Sequence, residues 1–422
     1  MEKLIQLLGP AFTKVARNKG APGPDKQTIE DVNKNLDKIL PQLKAELLEG
    51  KYTPGTIRRV YIPKGKGKRG LGIPDVIDRI VQEALRQLIE PAYEPTFHPN
   101  SHGFRPDKGC HTAIREAASY IDQGKEWVVD IDLERYFDTV QHDRLLSKLR
   151  ERIKDQRILR LIRKMLKAKV VMPNGVIIEV KEGVPQGSPL SPMLSNIVLD
   201  ELDKELTKRG HTHVRYADDC NIYVRSERAG LRVMESMTQF IEKRMRLKVN
   251  KEKSSVSKTG SRHFLGFRLH RDPLEGEVKI FLSNRSKERI ANKIKELTPR
   301  NWGSTLENCI KRLNRYLKGW TSYFHICTGN REHKIIDAHI RRRLRCLILK
   351  QWKRKRTIAR KLIARGVNKK TAWKRIYMGS RSLWALSIDR AVHKGLPNKY
   401  FKEVELCNLA DLWEIKNIVV SA

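Results

Sequence analysis

Four aspartates set in apolar, β-forming sequence constrain this 422-residue chain more than any other feature. In Val214-Arg-Tyr-Ala-Asp218-Asp219-Cys-Asn-Ile-Tyr-Val224, two strand-like runs flank a pair of adjacent carboxylates, which places the pair at the tight turn of a hairpin. In Trp127-Val-Val-Asp130-Ile-Asp132-Leu133 the acids alternate with apolar residues, and strand alternation puts Asp130 and Asp132 on one face. Acids in strands this apolar contribute little to packing. Adjacent carboxylates also repel, and keeping both ionised near neutral pH needs local positive charge, which a bound divalent ion supplies. An Asp-Asp turn alone is common on protein surfaces. If the strand lies beside the hairpin, however, three carboxylates converge. Oxygen-only ligands select Mg2+ over softer metals, and two ions about 4 Å apart can share such a set, one activating a hydroxyl and one holding a triphosphate.

The charge balance points to the partner. There are 86 Lys+Arg against 48 Asp+Glu, a formal net charge of +38. Such an excess costs stability through self-repulsion, and RNA or DNA is the simplest polyanion to offset it. An acidic membrane surface is the rival, but no apolar run is long enough to span a bilayer. The N-terminal stretch MEKLIQLLGPAFTK lacks a secretory pattern, so a cytoplasmic protein, nucleoid-associated when on DNA, is expected. Cys110, Cys220, Cys309, Cys327, Cys346 and Cys407 form no CxxC pair, which suggests small apolar residues in a reducing compartment.

Three textures follow one another. Residues 1–55 are expected to be helical around the turn-rich segment Asn18–Asp25, residues 56–283 mix strands and helices, and the sequence from 284 is helical and basic. Leu306, Ile310, Leu313, Leu317, Trp320 and Phe324 make one apolar stripe, with Lys311, Arg312, Arg315 and Lys318 off it. Segment 338–388 has 17 Lys or Arg and no acid; Trp352, Trp373 and Trp384 lie within it. Interleaved cations and aromatics suit single-stranded RNA, although each tryptophan alone reads as core.

Several motifs in this order carry a family resemblance. Tyr216-Ala-Asp-Asp219, the strand Asp132-x4-Phe137 and Gly183-Val-Pro-Gln-Gly-Ser-Pro-Leu-Ser-Pro192 resemble the palm motifs of reverse transcriptases, more narrowly those encoded by bacterial group II introns. Arg69–Gln82 and His102-Gly-Phe-Arg-Pro106 resemble that family's fingers, Phe264-Leu-Gly-Phe267 its primer-grip strand, and Asn314–Phe324 with Lys350-Gln-Trp-Lys-Arg354 its maturase-specific thumb. The resemblance implies an α+β right-hand polymerase with an antiparallel palm sheet. Its parts would be an N-terminal fingers extension (1–55), fingers and palm (56–283), a helical thumb (284–360) and a small basic helical C-terminal region (361–422).

Residue by residue, the resemblance implies Asp132, Asp218 and Asp219 as catalytic groups, with Asp130 the alternative to Asp132. Asp132, Leu133, Asp218 and Asp219 would be the metal-binding set for two Mg2+ ions. Phe137 is similar to the gate that excludes a ribose 2′-hydroxyl, its plain reading being a core phenylalanine. Arg58, Lys64 and Arg69 resemble the fingers cations on the incoming deoxynucleoside triphosphate, Gln186 a minor-groove contact, and Lys253 a group assisting pyrophosphate departure. Lys66 and Lys68 read as a flexible basic loop. Lys311, Arg312, Arg315, Lys350, Lys353 and Arg354 are the nucleic-acid contacts implied for the thumb. Ser191-Pro192 is expected to cap and start a helix. One departure is Gly70 where the family often has proline after the fingers arginine; another is the lack of a paired-cysteine endonuclease segment, so target-strand cleavage is not implied.

The activity implied is RNA-templated DNA synthesis, with binding and splicing of an intron RNA. A freestanding reverse transcriptase in defence or repair is one alternative. A splicing-only maturase is the other, and the three intact aspartates argue against it.

Overall fold

The apolar run Trp127–Ile131 is an inner strand of a four-stranded antiparallel sheet in the computed structural model, which describes residues 1–65, 67–299 and 303–421. Contacts divide the chain into two units, Met1–Lys258 and Thr259–Ala422.

The first unit holds strands β1 (Ile57–Lys64), β2 (Gly67–Ile73), β3 (Trp127–Ile131), β4 (Val170–Val171), β5 (Ile177–Ile178), β6 (Thr212–Tyr216), β7 (Asp219–Val224) and β8 (Ser255–Lys258). One sheet runs β6-β7-β3-β8 and is antiparallel throughout; the other runs β2-β1-β4-β5, with β1 and β4 parallel. This is the mixed α+β arrangement expected for residues 56–283. Val129, Ile131 and Ile222 from the palm sheet share one core with Leu199 and Met237 from the helices on it. Each such side chain contributes about 1.5–3 kcal/mol on burial.

The helical N-terminus appears as Glu2–Gln6, Leu8–Arg17, Ile29–Lys34 and Leu36–Glu49. Thr28 and Asp31 form a capping box at the third helix, and Gly50, at φ +70°, ends the fourth. The helix Ser191–Lys208 begins at the expected place, but Ser191 does not cap it. Its hydroxyl instead donates to the Pro185 carbonyl at 2.7 Å, which ties the helix start to the preceding loop.

The second unit opens with a hairpin of β9 (Phe267–Arg271) and β10 (Val278–Leu282). The sequence places this segment with the palm, yet Phe267 stacks on Tyr323 and packs against Phe324, so aromatic contact groups it with the helices that follow. Phe264-Leu-Gly-Phe267 is a tight turn rather than a strand, with Leu265 and Gly266 both at positive φ. The apolar stripe forms the helix Leu306–Phe324, burying Ile310, Leu313, Leu317 and Trp320. The helices Asn284–Leu297 and Arg331–Gln351 precede a run of short helices ending at Leu409–Ser421. Trp352, Trp373 and Trp384 are only half-buried. Among the described residues all six cysteines are free thiols, and no helix is long and apolar enough to cross a membrane.

Candidate active site

Tyr216 pairs with Asp219, so Ala217 and Asp218 alone make the hairpin turn. Ala217 sits at φ +56°, a left-handed conformation that alanine adopts only when its surroundings enforce it. Three neighbours do so. Gly103 presses against the turn so closely that a Cβ there would stand 2.3 Å from the Ala217 nitrogen. Asn196 Nδ2 donates to the Gly103 carbonyl at 2.9 Å. The fully buried Arg215 donates from Nη1 to the Ala217 carbonyl at 2.9 Å and to Asn196 Oδ1 at 3.0 Å.

Arg215 is itself fixed by Asp203, 2.8 Å from its Nε, and by the Ser101 hydroxyl. Burial opposes ionisation of Asp203, but the Arg215 guanidinium and His213 outweigh it and hold its carboxyl well below the usual range. Burial and the cations Lys108, Arg105 and Arg215 bring neighbouring His102 down to about 4, so it stays neutral near pH 7. Gly103→Ala is expected to lower turnover up to about a hundredfold, the scale of a misplacement near 1 Å. Nucleic-acid affinity should hold; steady-state kinetics beside a filter-binding titration separates the two.

Asp132 follows β3. The β3–β7 register pairs Ile131 with Cys220, and one further step sets Asp132 opposite Asp219. Its main chain is clamped from both sides: the Asp132 amide donates to Ser254 Oγ at 3.0 Å, and its carbonyl accepts from the Asn250 amide at 2.8 Å. Asp130 pairs with Asn221 within the sheet, and only Asp132 reaches the cleft.

That cleft, of about 840 Å³, is lined by Asp132, Leu133, Asp218 and Asp219 together with Phe137, Gln186, Arg69 and Lys253. These eight expected groups therefore meet on one surface. The Lys253 ammonium lies 3.7 Å from Asp132 Oδ1. Leu133, paired with Val249, can offer an ion only its backbone carbonyl. Among the described residues no three acidic, imidazole or thiol groups already stand at the spacing of a closed metal cage. The donors are nonetheless hard oxygens on one wall, the type that suits Mg2+.

Arg69 Nε donates to Gln186 Oε1 at 2.6 Å, which joins β2 to the Pro185-Gln186-Gly187 turn. The Gly72 amide also donates to the Gln186 carbonyl. Phe137 is both core and cleft wall, 8% exposed and edge-on to Tyr136.

Arg58 is not brought to the cleft. Side chains of a strand alternate, and Ile57, Arg59 and Tyr61 are the β1 residues that line it. Arg58 points to the other face, where Nη2 donates to the Pro22 carbonyl at 2.7 Å. Arg59 takes its place, and a Cβ at Gly70 would stand 2.8 Å from its Nη1, so glycine rather than proline leaves that guanidinium room. Lys68 joins the lining, whereas Lys66 and the Lys64 side chain lie outside the described residues.

In the second unit Lys311, Arg312 and Arg315 lie exposed on the polar side of Leu306–Phe324, Lys311 in an ion pair with Glu307. Lys350, Lys353 and Arg354 are exposed at the end of Arg331–Gln351.

The family model for reverse transcriptase (RNA-dependent DNA polymerase) matches residues 62–269. The model for the group II intron maturase-specific domain matches residues 287–365. The chain is similar to protein YkfC of Escherichia coli, 35% identical over 331 residues, covering 68% of this chain and 86% of that protein. It is 39% identical over 201 residues to group II intron-encoded protein LtrA of Lactococcus lactis, 46% of this chain and 32% of that one. An uncharacterized 91 kDa protein in the cob intron of Schizosaccharomyces pombe is 40% identical over 198 residues, 46% of this chain and 24% of that one. The chain thus spans a third or less of these last two relatives.

Proposed function

The chain belongs to the group II intron type of the reverse transcriptase family, and from that premise we propose that it extends a primer on an RNA template, with Asp132, Asp218 and Asp219 as its catalytic groups. The observation that carries this is the meeting of those three carboxylates, from β3 and from the β6–β7 turn, on one cleft with the fingers cations. Magnesium held by the three aspartates and the Leu133 carbonyl would acidify the primer hydroxyl and offset charge on the triphosphate.

The remaining work falls to the protein. Arg69, Arg59 and Lys68 face the place where negative charge gathers on the leaving pyrophosphate, and cations fixed there stabilise it without reorganising. The Arg69–Gln186 bond holds the fingers strand and the Gln186 turn in register before substrate arrives, and Gln186 then reaches the minor groove of the new pair. Lys253 neutralises Asp132 from outside and stands ready to protonate the departing pyrophosphate. Phe137 walls the sugar position, where an added 2′-hydroxyl would collide with it.

The test is primer extension on an RNA template with deoxynucleotides. Product that requires Mg2+ is expected; no product at any Mg2+ concentration overturns the reading. Phe137→Ala should raise the ratio of ribonucleotide to deoxynucleotide kcat/KM roughly tenfold or more, the scale of one steric contact. This ratio is insensitive to how much of the variant folds, and an unchanged value removes the gate.

The maturase-specific segment 287–365 supports a second role, binding intron RNA to promote splicing and retrohoming. Template and intron RNA, primer and target DNA, and deoxynucleoside triphosphates are then its partners, met in the cytoplasm and at the nucleoid. The exposed cations Lys311, Arg312, Arg315, Lys350, Lys353 and Arg354 supply the grip on that RNA.

A further inference from the structure

A second cavity, of about 410 Å³, lies within the C-terminal unit between the helix Arg331–Gln351 and the chain from Ile388 to Asn398. Spacing of three and four residues puts Ala338, Arg341, Arg342 and Arg345 along one side of the helix, with His339 beside them. His393 and Asn398 form the facing wall, and no carboxylate among the described residues lines the space.

The guanidinium groups of Arg342 and Arg345 are held in place before any ligand arrives. Arg345 is 3% exposed; its Nε donates to the Leu396 carbonyl at 2.9 Å and its Nη2 to Asn398 Oδ1 at 3.2 Å. Arg342 lies 3.9 Å over the Trp384 indole, and its buried Nε has no acceptor among the described residues. Stacking fixes the plane of its fork, the geometry that recognises phosphate through two parallel bonds. The nearby carboxylates are already engaged. Asp337 accepts from the Leu409 and Ala410 amides, and Asp389 is paired with Arg375 and Arg381. Burial and then Arg341 bring Arg345 down to about 10, and burial with Arg345 and Arg341 lowers His393. Asp337 and Asp389 offset part of the charge on Arg341 and His393, but positive groups outnumber them on the cavity wall, and an anion would relieve the excess.

We infer that this cavity seats a backbone phosphate of a bound nucleic-acid strand, gripped by Arg341, Arg342 and Arg345. The inference rests on the polymerase and intron-binding reading above and locates one point of grip within the second unit. Ile388, 55% exposed, lies at the same cavity and gives the flanking sugar an apolar surface.

The test measures oligonucleotide affinity of the full chain against salt, without nucleotides or Mg2+, for wild type, Arg341→Gln/Arg342→Gln and Arg150→Gln/Arg160→Gln. The last pair removes the same charge from exposed helix positions of the first unit. The pocket variant should lose about tenfold in affinity on every sequence, and the slope of log affinity against log salt should fall by about two, near one per phosphate-gripping cation. The control pair should lose no more than about twofold. Arg342→Lys keeps the charge without the fork and should retain the slope while losing about threefold.

Equal losses in pocket and control variants, or no loss in the pocket variant, overturn the proposal and leave the polymerase reading intact. If wild type binds no nucleic acid, the underlying reading fails instead. If millimolar inorganic phosphate raises the Tm of wild type as much as an oligonucleotide does, and the Gln pair loses both effects, the site takes free phosphate and the strand assignment is overturned.

Discussion

Asp218→Asn is expected to reduce primer extension on an RNA template by about a thousandfold or more, with RNA affinity changed less than about twofold. The substitution keeps the size of the side chain and removes one charge from the cleft that Asp132 and Asp219 share. Each 1.36 kcal/mol of lost transition-state stabilisation is tenfold in rate, and a divalent ion contributes several kcal/mol at a transferring phosphoryl group. Binding relies on cations elsewhere on the surface, which the substitution leaves untouched. Single-turnover extension at saturating primer–template, beside a filter-binding titration, separates chemistry from binding. A parallel loss of both would mean that Asp218 serves the fold; unaltered extension would mean that the cleft is not the site of chemistry.

Arg215→Met should destabilise the first unit by about 3–5 kcal/mol, because it leaves Asp203 buried without its partner. That is a large share of the roughly 5–15 kcal/mol by which domains are stable. The Arg215→Met/Asp203→Leu double variant removes both charges and should recover most of that stability, since the orphaned carboxylate is gone. It should not recover activity, because the Ala217 carbonyl still lacks its donor and the Asp218 turn is no longer held. Urea denaturation with kcat on each variant distinguishes this positioning role from a purely structural one, in which activity would return with stability.

The pair also sets an acid limit. Its folded-state carboxyl lies below the value of an unfolded aspartate, near 3.9. The stability it contributes is therefore complete above that value and is lost as pH falls toward the folded-state one.

Much of the site was legible in the sequence because its chemistry conflicts with local packing rules. Acids in Trp127–Leu133 and in Val214–Val224 break an apolar strand pattern, and both segments meet at the cleft. The stripe from Leu306 to Phe324 likewise gave a helix with the expected ends, since period and burial agree there. Arg58 illustrates the opposite case. In a run as basic as Ile57-Arg-Arg59 either arginine could face the substrate, and strand register alone selects Arg59. Ser191 and the turn at Phe264–Phe267 differ for a related reason: a carbonyl at Pro185 and a local backbone bridge compete with the expected cap and strand.

Gly103, Asn196, Arg215 and Ser254 carried only weak signals, a charge within an apolar strand and a glycine beside a histidine. The sequence by itself determined which residue types carry the chemistry and which segments are strand, helix or basic surface, because these depend on side-chain chemistry and short-range periodicity. Only the tertiary structure decided that Gly103 and Arg215 hold the Ala217 turn, that Arg59 rather than Arg58 faces the cleft, and that three arginines line a cavity with no acid among the described residues on its wall. Those facts depend on contacts between residues far apart in the chain, and no local pattern encodes which of several similar groups will meet.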